Sequence, residues 1–239
     1  MPDRAALITG ASSGIGFTIA RALAEDGYGV TVSARRAEKL EDAAKSLIDA
    51  GLDVNPVTAN MAVEEDIKGL AAAHRDRYGR LDVLVNNAGL GIGSEIAEVE
   101  TKRLDLQLDV NLRGAFLMTR EAIPMLREAG REHGKALLLN MSSIAGKDGQ
   151  PWLAAYSATK AAIVGLSQAT QGEVENDGVQ VTAFCPGFVA TPMTDWNDAV
   201  PKDEMIQPED LAEAVRFLLR TSTHCLVPEM QFLRPGDRR

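Results

Sequence analysis

Apolar and polar residues alternate along the chain in two different patterns. Short runs that are almost wholly apolar alternate with longer stretches in which apolar residues recur every three or four positions. The short runs are strand candidates and cover residues 5–9, 29–34, 53–59, 82–87, 135–142, 179–185 and, near the end, 226–233. The longer stretches predict helices at residues 14–26, 36–50, 63–78, 101–129, 153–176 and 208–220.

The composition of the strand candidates indicates how the elements are arranged. They are nearly continuous in Val, Leu, Ile and Ala, which is typical of parallel strands that are buried on both faces. Regular alternation of strand and helix predicts an α/β fold, a Rossmann-like doubly wound sheet that is mostly parallel and seven-stranded, with helices on both faces. No linker, repeat or low-complexity segment interrupts the pattern, so we expect a single domain, 1–239.

Two segments depart from this regular pattern. Pro124 lies inside the helical stretch 101–129 and predicts a kink or a break there. Residues 192–207 have no clear period and include Pro192 and Pro201. This segment is either a mobile lid or an ordinary surface loop, and the pattern leaves both interpretations open.

Composition and charge exclude several classes of protein. A net charge of −9 argues against a general nucleic-acid binder. No apolar run approaches the roughly 20 residues that span a bilayer, and the start resembles a first strand rather than a secretion signal, so we expect a cytoplasmic protein that does not bind membranes. Two distant cysteines, Cys185 and Cys225, and three histidines without ligand spacing predict neither a disulfide framework nor a metal site.

The first strand candidate is followed by a glycine-rich turn, "TGASSGIG", from Thr9 to Gly16. Glycines at Gly10, Gly14 and Gly16 permit a tight turn and let backbone amides approach a pyrophosphate at the start of the next helix. The position of the turn at the first strand–helix junction favours a dinucleotide site, and a plain tight turn is the alternative.

The end of the second strand candidate bears on which dinucleotide is bound. Sites that prefer NAD usually carry an acidic residue here, but this chain has Arg35 and Arg36. A guanidinium pairs with a 2′-phosphate by charge-assisted hydrogen bonds. We therefore expect NADP, with NAD less favoured; solvated residues at a helix start are the alternative.

A tyrosine and a lysine stand four positions apart in "AAYSATKAA". On a helix, Tyr156 and Lys160 share one face, and an ammonium near a phenol lowers its pKa. The phenol then becomes a usable acid and base for an alcohol oxygen. Such a pair alone is weak evidence, since the spacing occurs by chance in many helices.

Other polar residues follow the neighbouring strand candidates. Ser142 and Ser143 end the fifth one in "NMSSIAG", where a hydroxyl can stabilise charge on a carbonyl oxygen, and "NNAG", residues 86–89, ends the fourth. Asn111 lies within a predicted helix, where asparagine is disfavoured, so it has either a polar role or forms a local kink.

Four motifs in this order, "TGASSGIG", "NNAG", "YSATK" and "PGFVATPM" (186–193), resemble those of the short-chain dehydrogenase/reductase family in its compact form, from about residue 5 to about residue 220. The resemblance implies that Tyr156 is the general acid/base and that Lys160 lowers its pKa and holds the nicotinamide ribose. The family spacing selects Ser143 rather than Ser142 as the active serine. Asn111 would hold a water that relays protons from Lys160.

The resemblance also implies the sites for cofactor and substrate. Cofactor-binding residues would be Gly10, Ser12, Ser13, Gly14, Ile15, Gly16, Arg35, Arg36, Asn60, Met61, Asn87, Ala88, Gly89, Tyr156, Lys160, Pro186, Gly187, Val189 and Thr191. Substrate would contact Ser143, Trp152, Tyr156 and Met193, although Trp152 can equally be a packing residue.

The chain departs from the family pattern at two points. Asn60 and Met61 stand where an acid often holds the adenine, and an amide can still make that hydrogen bond. The tail "CLVPEMQFLRPGDRR" lacks the paired glycines that take part in tetramer packing, so a homodimer is expected as readily as a homotetramer.

The expected function is NADP(H)-dependent oxidation and reduction, which interconverts a carbonyl and an alcohol of a small molecule by hydride transfer. No motif selects the substrate. The main alternative is a non-catalytic NADP-binding, redox-sensing regulator, which would have no need of Asn111, Ser143, Tyr156 and Lys160 together. Epimerisation or dehydration is a third possibility, although family members with those activities usually have an added substrate region.

Overall fold

A computed structural model describes residues 2–197 and 199–237. Within these residues the strands are β1 (Ala5–Thr9), β2 (Gly29–Ala34), β3 (Val54–Thr58), β4 (Val83–Asn86), β5 (Ala136–Met141), β6 (Val179–Pro186) and β7 (Glu229–Phe232). They form one sheet in the order β3-β2-β1-β4-β5-β6-β7, and every neighbouring pair is parallel. This confirms the predicted seven-stranded, doubly wound α/β fold.

Helices cover both faces of the sheet. They are α1 (Gly14–Glu25), α2 (Ala37–Asp49), α3 (Glu64–Tyr78), α4 (Thr101–Leu108), α5 (Gly114–His133), α6 (Ala154–Val174) and α7 (Pro208–Arg220). Helices α1, α2 and α7 share one core cluster with the sheet, whereas α3 and α5 share another on the opposite face, where α6 packs on β6. Both faces are therefore buried, which explains the uninterrupted apolar runs.

Strand β1 shows how the pleat divides the two cores. Ile8 packs in the cluster that contains Leu23 of α1, and its neighbour Leu7 packs in the cluster that contains Met118 of α5. Successive side chains of a strand point to opposite faces, so each layer of helices receives every second residue.

The strand order reverses beside β1, which places the ligand crevice. Strand β1 pairs with β2 on one side and with β4 on the other. The connections from β1 and from β4 leave on opposite faces of the sheet, so the carboxyl ends of these two strands separate and leave a crevice between them.

The predicted helix 101–129 is interrupted, but not at its proline. A π-helical turn, Asp109–Arg113, separates α4 from α5, while α5 continues through Pro124. The break that Pro124 allowed is therefore absent, whereas the alternative, a kink, stays a prediction. Pro124 and Arg120 are both exposed, so water can solvate the Arg120 carbonyl that lacks an amide partner.

His74 is a buried packing residue that links α3 to the sheet. Its Nε2 lies 2.9 Å from the Arg80 carbonyl oxygen and its Nδ1 lies 2.8 Å from Thr31 Oγ1. A carbonyl only accepts, so Nε2 carries the proton and Nδ1 accepts from the Thr31 hydroxyl. Burial lowers the pKa of His74 to about 4, and the ring is neutral at physiological pH.

Acidification is expected to destabilise the protein through His74. Between pH 6.5 and about 4 the unfolded chain binds a proton that the native ring does not, so the free energy of unfolding falls as pH falls. The full contribution is about 3 kcal/mol. Urea unfolding of wild type and His74→Gln across this range measures it, since Gln keeps both hydrogen-bonding roles without titrating. Equal slopes for the two proteins would contradict the assignment.

Candidate functional site

A cleft of about 830 Å³ lies at the carboxyl edge of the sheet. Its walls include many of the residues predicted from the sequence, which come from distant parts of the chain: Ile15, Asn87, Gly89, Ser143, Trp152, Tyr156, Lys160, Pro186, Gly187, Val189, Thr191 and Met193. The fold therefore brings the four motifs to one place.

The glycine turn after β1 is closely packed on the segment after β4. Gly10 has a φ of +66°, and a Cβ there would lie 2.8 Å from the Ala88 Cα. A Cβ at Gly16 would lie 2.4 Å from Asn87 Nδ2. Contacts this short leave no room for a methyl group, so both positions require glycine for the approach of the two segments.

Hydrogen bonds hold these two segments together. Thr9 Oγ1 accepts from the amides of Asn87 and Ala88 at 3.1 and 3.0 Å. Asn87 Nδ2 donates to the carbonyl oxygens of Thr9 and Gly10 at 3.0 and 3.1 Å. Thr9 was not among the predicted site residues, although it opens the "TGASSGIG" motif.

The start of α1 fits the pyrophosphate of a dinucleotide. Gly14 has a φ of +57° and begins the helix, and a Cβ there would meet Thr191 Cγ2 at 3.0 Å. Ser13 is the N-cap residue, but its side chain makes no capping hydrogen bond. The Ser13 side chain therefore accepts no hydrogen bond from the amides of the first turn. These amides point out of the helix N-terminus, where an anion such as a pyrophosphate can accept from them. Ser12 is half-buried in the same turn.

The other predicted cofactor residues follow β2 and β3. Arg35 and Arg36 are exposed directly after β2. Asn60 lies after β3, and its Oδ1 accepts from the Ala62 amide at 3.2 Å. Met61 is buried in the core with α3 and α5, so its side chain packs inside the protein rather than in the crevice.

The tyrosine, the lysine and one serine meet in the cleft. Tyr156 and Lys160 lie in the first two turns of α6, with Lys160 Nζ 5.6 Å from the centre of the tyrosine ring. Ser143 follows β5 and lines the cleft together with Tyr156, and its Oγ donates to the Pro186 carbonyl oxygen at 3.4 Å. Ser142 instead donates to the Lys160 carbonyl oxygen at 2.7 Å. Of the two serines, Ser143 is therefore the one that can share a substrate oxygen with Tyr156.

The pKa of Tyr156 shifts in the direction opposite to the one expected from the sequence, which was a lowering by Lys160. Burial raises the pKa of Tyr156, and the nearby Ser143 hydroxyl partly opposes that rise. Burial also lowers the pKa of Lys160 to about 8. Lys160 Nζ lies over the tyrosine ring and donates to the Met141 carbonyl oxygen at 2.7 Å.

Asn111 lies in the π-helical turn and is buried beside the lysine. Its Oδ1 accepts from the Leu90 amide, and its Nδ2 donates to the Leu90 carbonyl oxygen, both at 2.8 Å, and to Thr159 Oγ1 at 3.1 Å. A Cβ at Gly89 would lie 3.3 Å from Lys160 Nζ and 3.4 Å from Asn111 Oδ1. The side chain thus joins the segment after β4 to α6, a positioning contact that the sequence did not indicate.

Trp152 has an unusual backbone at the mouth of the cleft. The Leu153 amide donates to the Gln150 carbonyl oxygen at 3.1 Å, and this closes a turn with Pro151 second and Trp152 third. Trp152 has a φ of +67°, which in such a turn normally belongs to glycine. A bulky residue there stores about 1–3 kcal/mol of strain.

The end of the chain forms a wall of the cleft that the sequence analysis missed. Parallel pairing of β7 with β6 sets the Phe232 carbonyl against the Gly187 amide at 2.9 Å. Leu233, Gly236 and Asp237 then line the cleft. Only the tertiary pairing reveals this, because no motif marks the tail.

Within the described residues, the helices are too short or too polar to cross a membrane.

Comparison with known proteins agrees with this architecture. A sequence model of the short chain dehydrogenase family matches residues 4–200. A 3-oxoacyl-acyl-carrier-protein reductase of Staphylococcus aureus is 36% identical over 226 residues, which cover 90% of each chain.

Two solved structures are similar over nearly the whole chain. An alcohol dehydrogenase of the archaeon Thermococcus sibiricus, complexed with 5-hydroxy-NADP, has a TM-score of 0.87 and 32% identity, covering 99% of this chain and 98% of its own. A 3-ketoacyl-acyl-carrier-protein reductase of Brucella melitensis, complexed with NADH, has a TM-score of 0.88 and 31% identity, covering 98% of each chain. The chain belongs to the short-chain dehydrogenase family of NAD(P)-dependent oxidoreductases.

Proposed function

We propose that this protein interconverts a ketone or aldehyde and its alcohol with NADP(H), and that Tyr156 transfers the proton. The observation that carries the proposal is the meeting of Tyr156, Ser143 and Lys160 in one cleft, beside a glycine turn that fits a pyrophosphate. The nicotinamide would supply or accept the hydride, and the protein contributes orientation and electrostatics.

Each polar residue of the cleft has a distinct proposed role. In reduction, Ser143 and Tyr156 donate hydrogen bonds to the carbonyl oxygen, and Tyr156 then gives up its proton as charge develops there. Lys160, held by the Met141 carbonyl, supplies positive charge beside the phenol and can reach a ribose hydroxyl. Asn111 positions Lys160 and the segment after β4, and its turn is the proposed path for a water relay.

The cofactor residues are divided between three strand ends. Gly10, Ser12, Ser13, Gly14, Ile15 and Gly16 would surround the pyrophosphate, with Asn87, Ala88 and Gly89 near the ribose and with Pro186, Gly187, Val189 and Thr191 on the nicotinamide side. Asn60 would hydrogen-bond the adenine through its amide. The buried side chain of Met61 limits that residue to a backbone contact.

The preference for NADP rests on Arg35 and Arg36, which are exposed where a 2′-phosphate would lie. The relatives do not decide it, since one complex contains an NADP derivative and the other NADH. Arg35→Asp is expected to lower kcat/KM with NADPH by about 10- to 100-fold relative to NADH, because a charge-assisted hydrogen bond becomes a repulsion. Steady-state rates with both cofactors measure this.

Lys39→Asp provides the control, because it reverses the charge of an exposed side chain on α2, four residues after Arg35. It should leave the NADPH to NADH ratio near that of wild type. A wild-type enzyme that already uses NADH more efficiently would contradict the NADP proposal, whatever the variants do.

A turnover screen tests the reaction itself. NADPH and NADH oxidation would be followed with aromatic, cyclic and linear ketones and aldehydes, and NADP⁺ reduction with the matching alcohols. Turnover of at least one pair in both directions is expected. Tight NADPH binding without turnover of any carbonyl would favour the redox-sensing regulator, which the comparisons do not support.

We propose a single domain, residues 1–239, that acts on small molecules in the cytoplasm. We also propose a homodimer or homotetramer whose contacts involve α4, α5 and α6. The segment 190–206 is joined at its base, where the Ala190 amide donates to the Ile206 carbonyl and the Ile206 amide to the Phe188 carbonyl, at 2.9 and 3.0 Å. That base makes a lid over the cleft the preferred interpretation of 192–207.

A further inference from the structure

We propose that three aromatic side chains, Trp152, Phe188 and Trp196, form a wall that binds an aromatic ring attached to the reacting carbonyl. The inference rests on the proposed function and names its substrate class as neutral aryl ketones or aldehydes. These three residues are called the aromatic wall below, and all of them line the cleft that contains Tyr156.

The aromatic wall presents uncovered apolar surface. Trp152 and Trp196 are 54% and 61% exposed, and Met193 beside them is 52% exposed. Large apolar side chains that gather at one concave place usually mark a binding site rather than ordinary surface. Their exposure shows that packing within the fold does not account for them.

The rings are arranged edge to face rather than stacked on one another. The Trp152 and Trp196 centroids lie 6.2 Å apart with planes inclined by 58°, and those of Phe188 and Trp196 lie 6.3 Å apart at 67°. Rings that are inclined rather than stacked leave part of each half-exposed indole face open, and an open face is the surface on which a planar ring stacks favourably.

The backbone holds Trp152 in this position. Its carbonyl oxygen accepts from the Ser94 amide at 2.8 Å. Its ring presses on Gly93, where a Cβ would lie 2.3 Å from two ring atoms. These contacts hold a half-exposed indole on a residue whose positive φ would favour glycine. Backbone strain of this kind commonly persists at ligand sites.

The distance to Tyr156 identifies which part of the substrate would contact the wall. A Cβ at Gly91 would lie 3.4 Å from the Tyr156 ring, whereas Gly93, two residues on, contacts Trp152. Two residues span at most about 7 Å. Both rings therefore lie against the same three-residue segment of the cleft wall, and we infer that the group that reaches the indole is attached close to the carbonyl carbon.

Charge at the cleft gives an acidic substrate little attraction. Asp148, Asp237 and Lys160 line it, and Lys160 Nζ already donates to the Met141 carbonyl oxygen. Asp237 accepts from Arg234 Nε at 2.8 Å, so that the local guanidinium is paired. A carboxylate on the substrate would meet acidic neighbours, and a neutral aromatic ring would not.

Tryptophan fluorescence provides a test that does not require turnover. The chain has two tryptophans, Trp152 and Trp196, so its indole emission comes entirely from the aromatic wall. Titration with 1-phenylethanol, with and without NADP⁺, is expected to change the emission saturably. The control ligand 1-cyclohexylethanol has the same number of heavy atoms and should need a several-fold higher concentration. Identical titrations, or emission that depends on protein concentration because a second copy covers the wall, would overturn the inference.

Variants extend the test to kinetics with acetophenone and cyclohexyl methyl ketone. Trp152→Leu removes the aromatic face, and Gly93→Ala displaces the ring without removing it. Either change should raise KM for acetophenone about three- to tenfold, the range expected for an aromatic contact, and should alter KM for the cyclohexyl ketone less. Gly149→Ala is the control, since no atom lies within 4 Å of its added methyl.

The outcomes separate this inference from the proposed function. Turnover of ketones with equal effects of Trp152→Leu on both KM values would overturn the aromatic wall and leave the oxidoreductase proposal standing. Saturable fluorescence changes with 1-phenylethanol but no turnover of any carbonyl would support the wall and contradict the proposed reaction.

Discussion

Tyr156→Phe is expected to lower carbonyl reduction by roughly 10²- to 10⁴-fold, the usual contribution of a general acid, while NADPH still binds. The change removes one oxygen, and the ring continues to pack against Gly91. Stopped-flow turnover, with NADPH binding followed by its own fluorescence, separates the two effects. Tyr28→Phe removes the same oxygen from a tyrosine packed in the core with α1 and should leave turnover intact. Near-wild-type turnover by Tyr156→Phe would refute the role of the phenol.

The two directions of the reaction should respond oppositely to pH. Burial raises the pKa of Tyr156, so the protonated phenol that reduction needs persists into the alkaline range. Oxidation needs the phenolate and should rise with pH over the same range. Loss of reduction near neutral pH would show that the bound cofactor reverses the direction of this shift.

Lys160→Met is expected to abolish most turnover and yet stabilise the protein, by about 2 kcal/mol at pH 7. Burial lowers the pKa of Lys160 from 10.5 to about 8, which corresponds to about 3 kcal/mol of destabilisation below pH 8. Loss of the hydrogen bond from Nζ to the Met141 carbonyl offsets about 1 kcal/mol of the gain. Denaturant unfolding of both proteins at several pH values measures the difference.

The sign of the pH dependence provides a further check on Lys160. Between pH 8 and 10.5 the unfolded chain binds more protons than the native one, so the free energy of unfolding of wild type rises with pH in that window. The advantage of Lys160→Met should shrink there. Lys39→Met, on the exposed face of α2, is the matched control and should change little. A variant less stable than wild type at pH 7 would mean that the lysine contributes to the fold rather than being strained by it.

The cofactor turn shows how far local signals reach. The need for glycine at Gly10 and Gly16 could be predicted from their position directly after an apolar run. It arises from backbone geometry, since in a doubly wound sheet another chain segment passes close to the turn after the first strand. The contact that excludes a side chain at Gly16, with Asn87, joins residues far apart in sequence. The sequence indicated that glycine is needed at this position, but it did not indicate which neighbouring residue excludes a larger side chain.

Asn111 and Met61 show what a motif leaves undecided about the direction of a side chain. Both were assigned to the site from their position in a familiar order. The structure places Asn111 in a π-helical turn with its amide bonded to Leu90 and Thr159, and it buries Met61 in the core. Side-chain direction depends on the neighbours that the fold brings close, which a linear pattern does not contain.

By itself the sequence determined the alternation of strands and helices, the parallel sheet, and the residues that we propose for the chemistry, because periodicity and turn residues act over a few positions. Tertiary structure alone decided the rest. It placed the chain end beside β6, held Trp152 against Gly93, and set the protonation of Tyr156 and Lys160 by burial. These properties depend on contacts and desolvation between distant residues, and such effects exist only once the chain has folded.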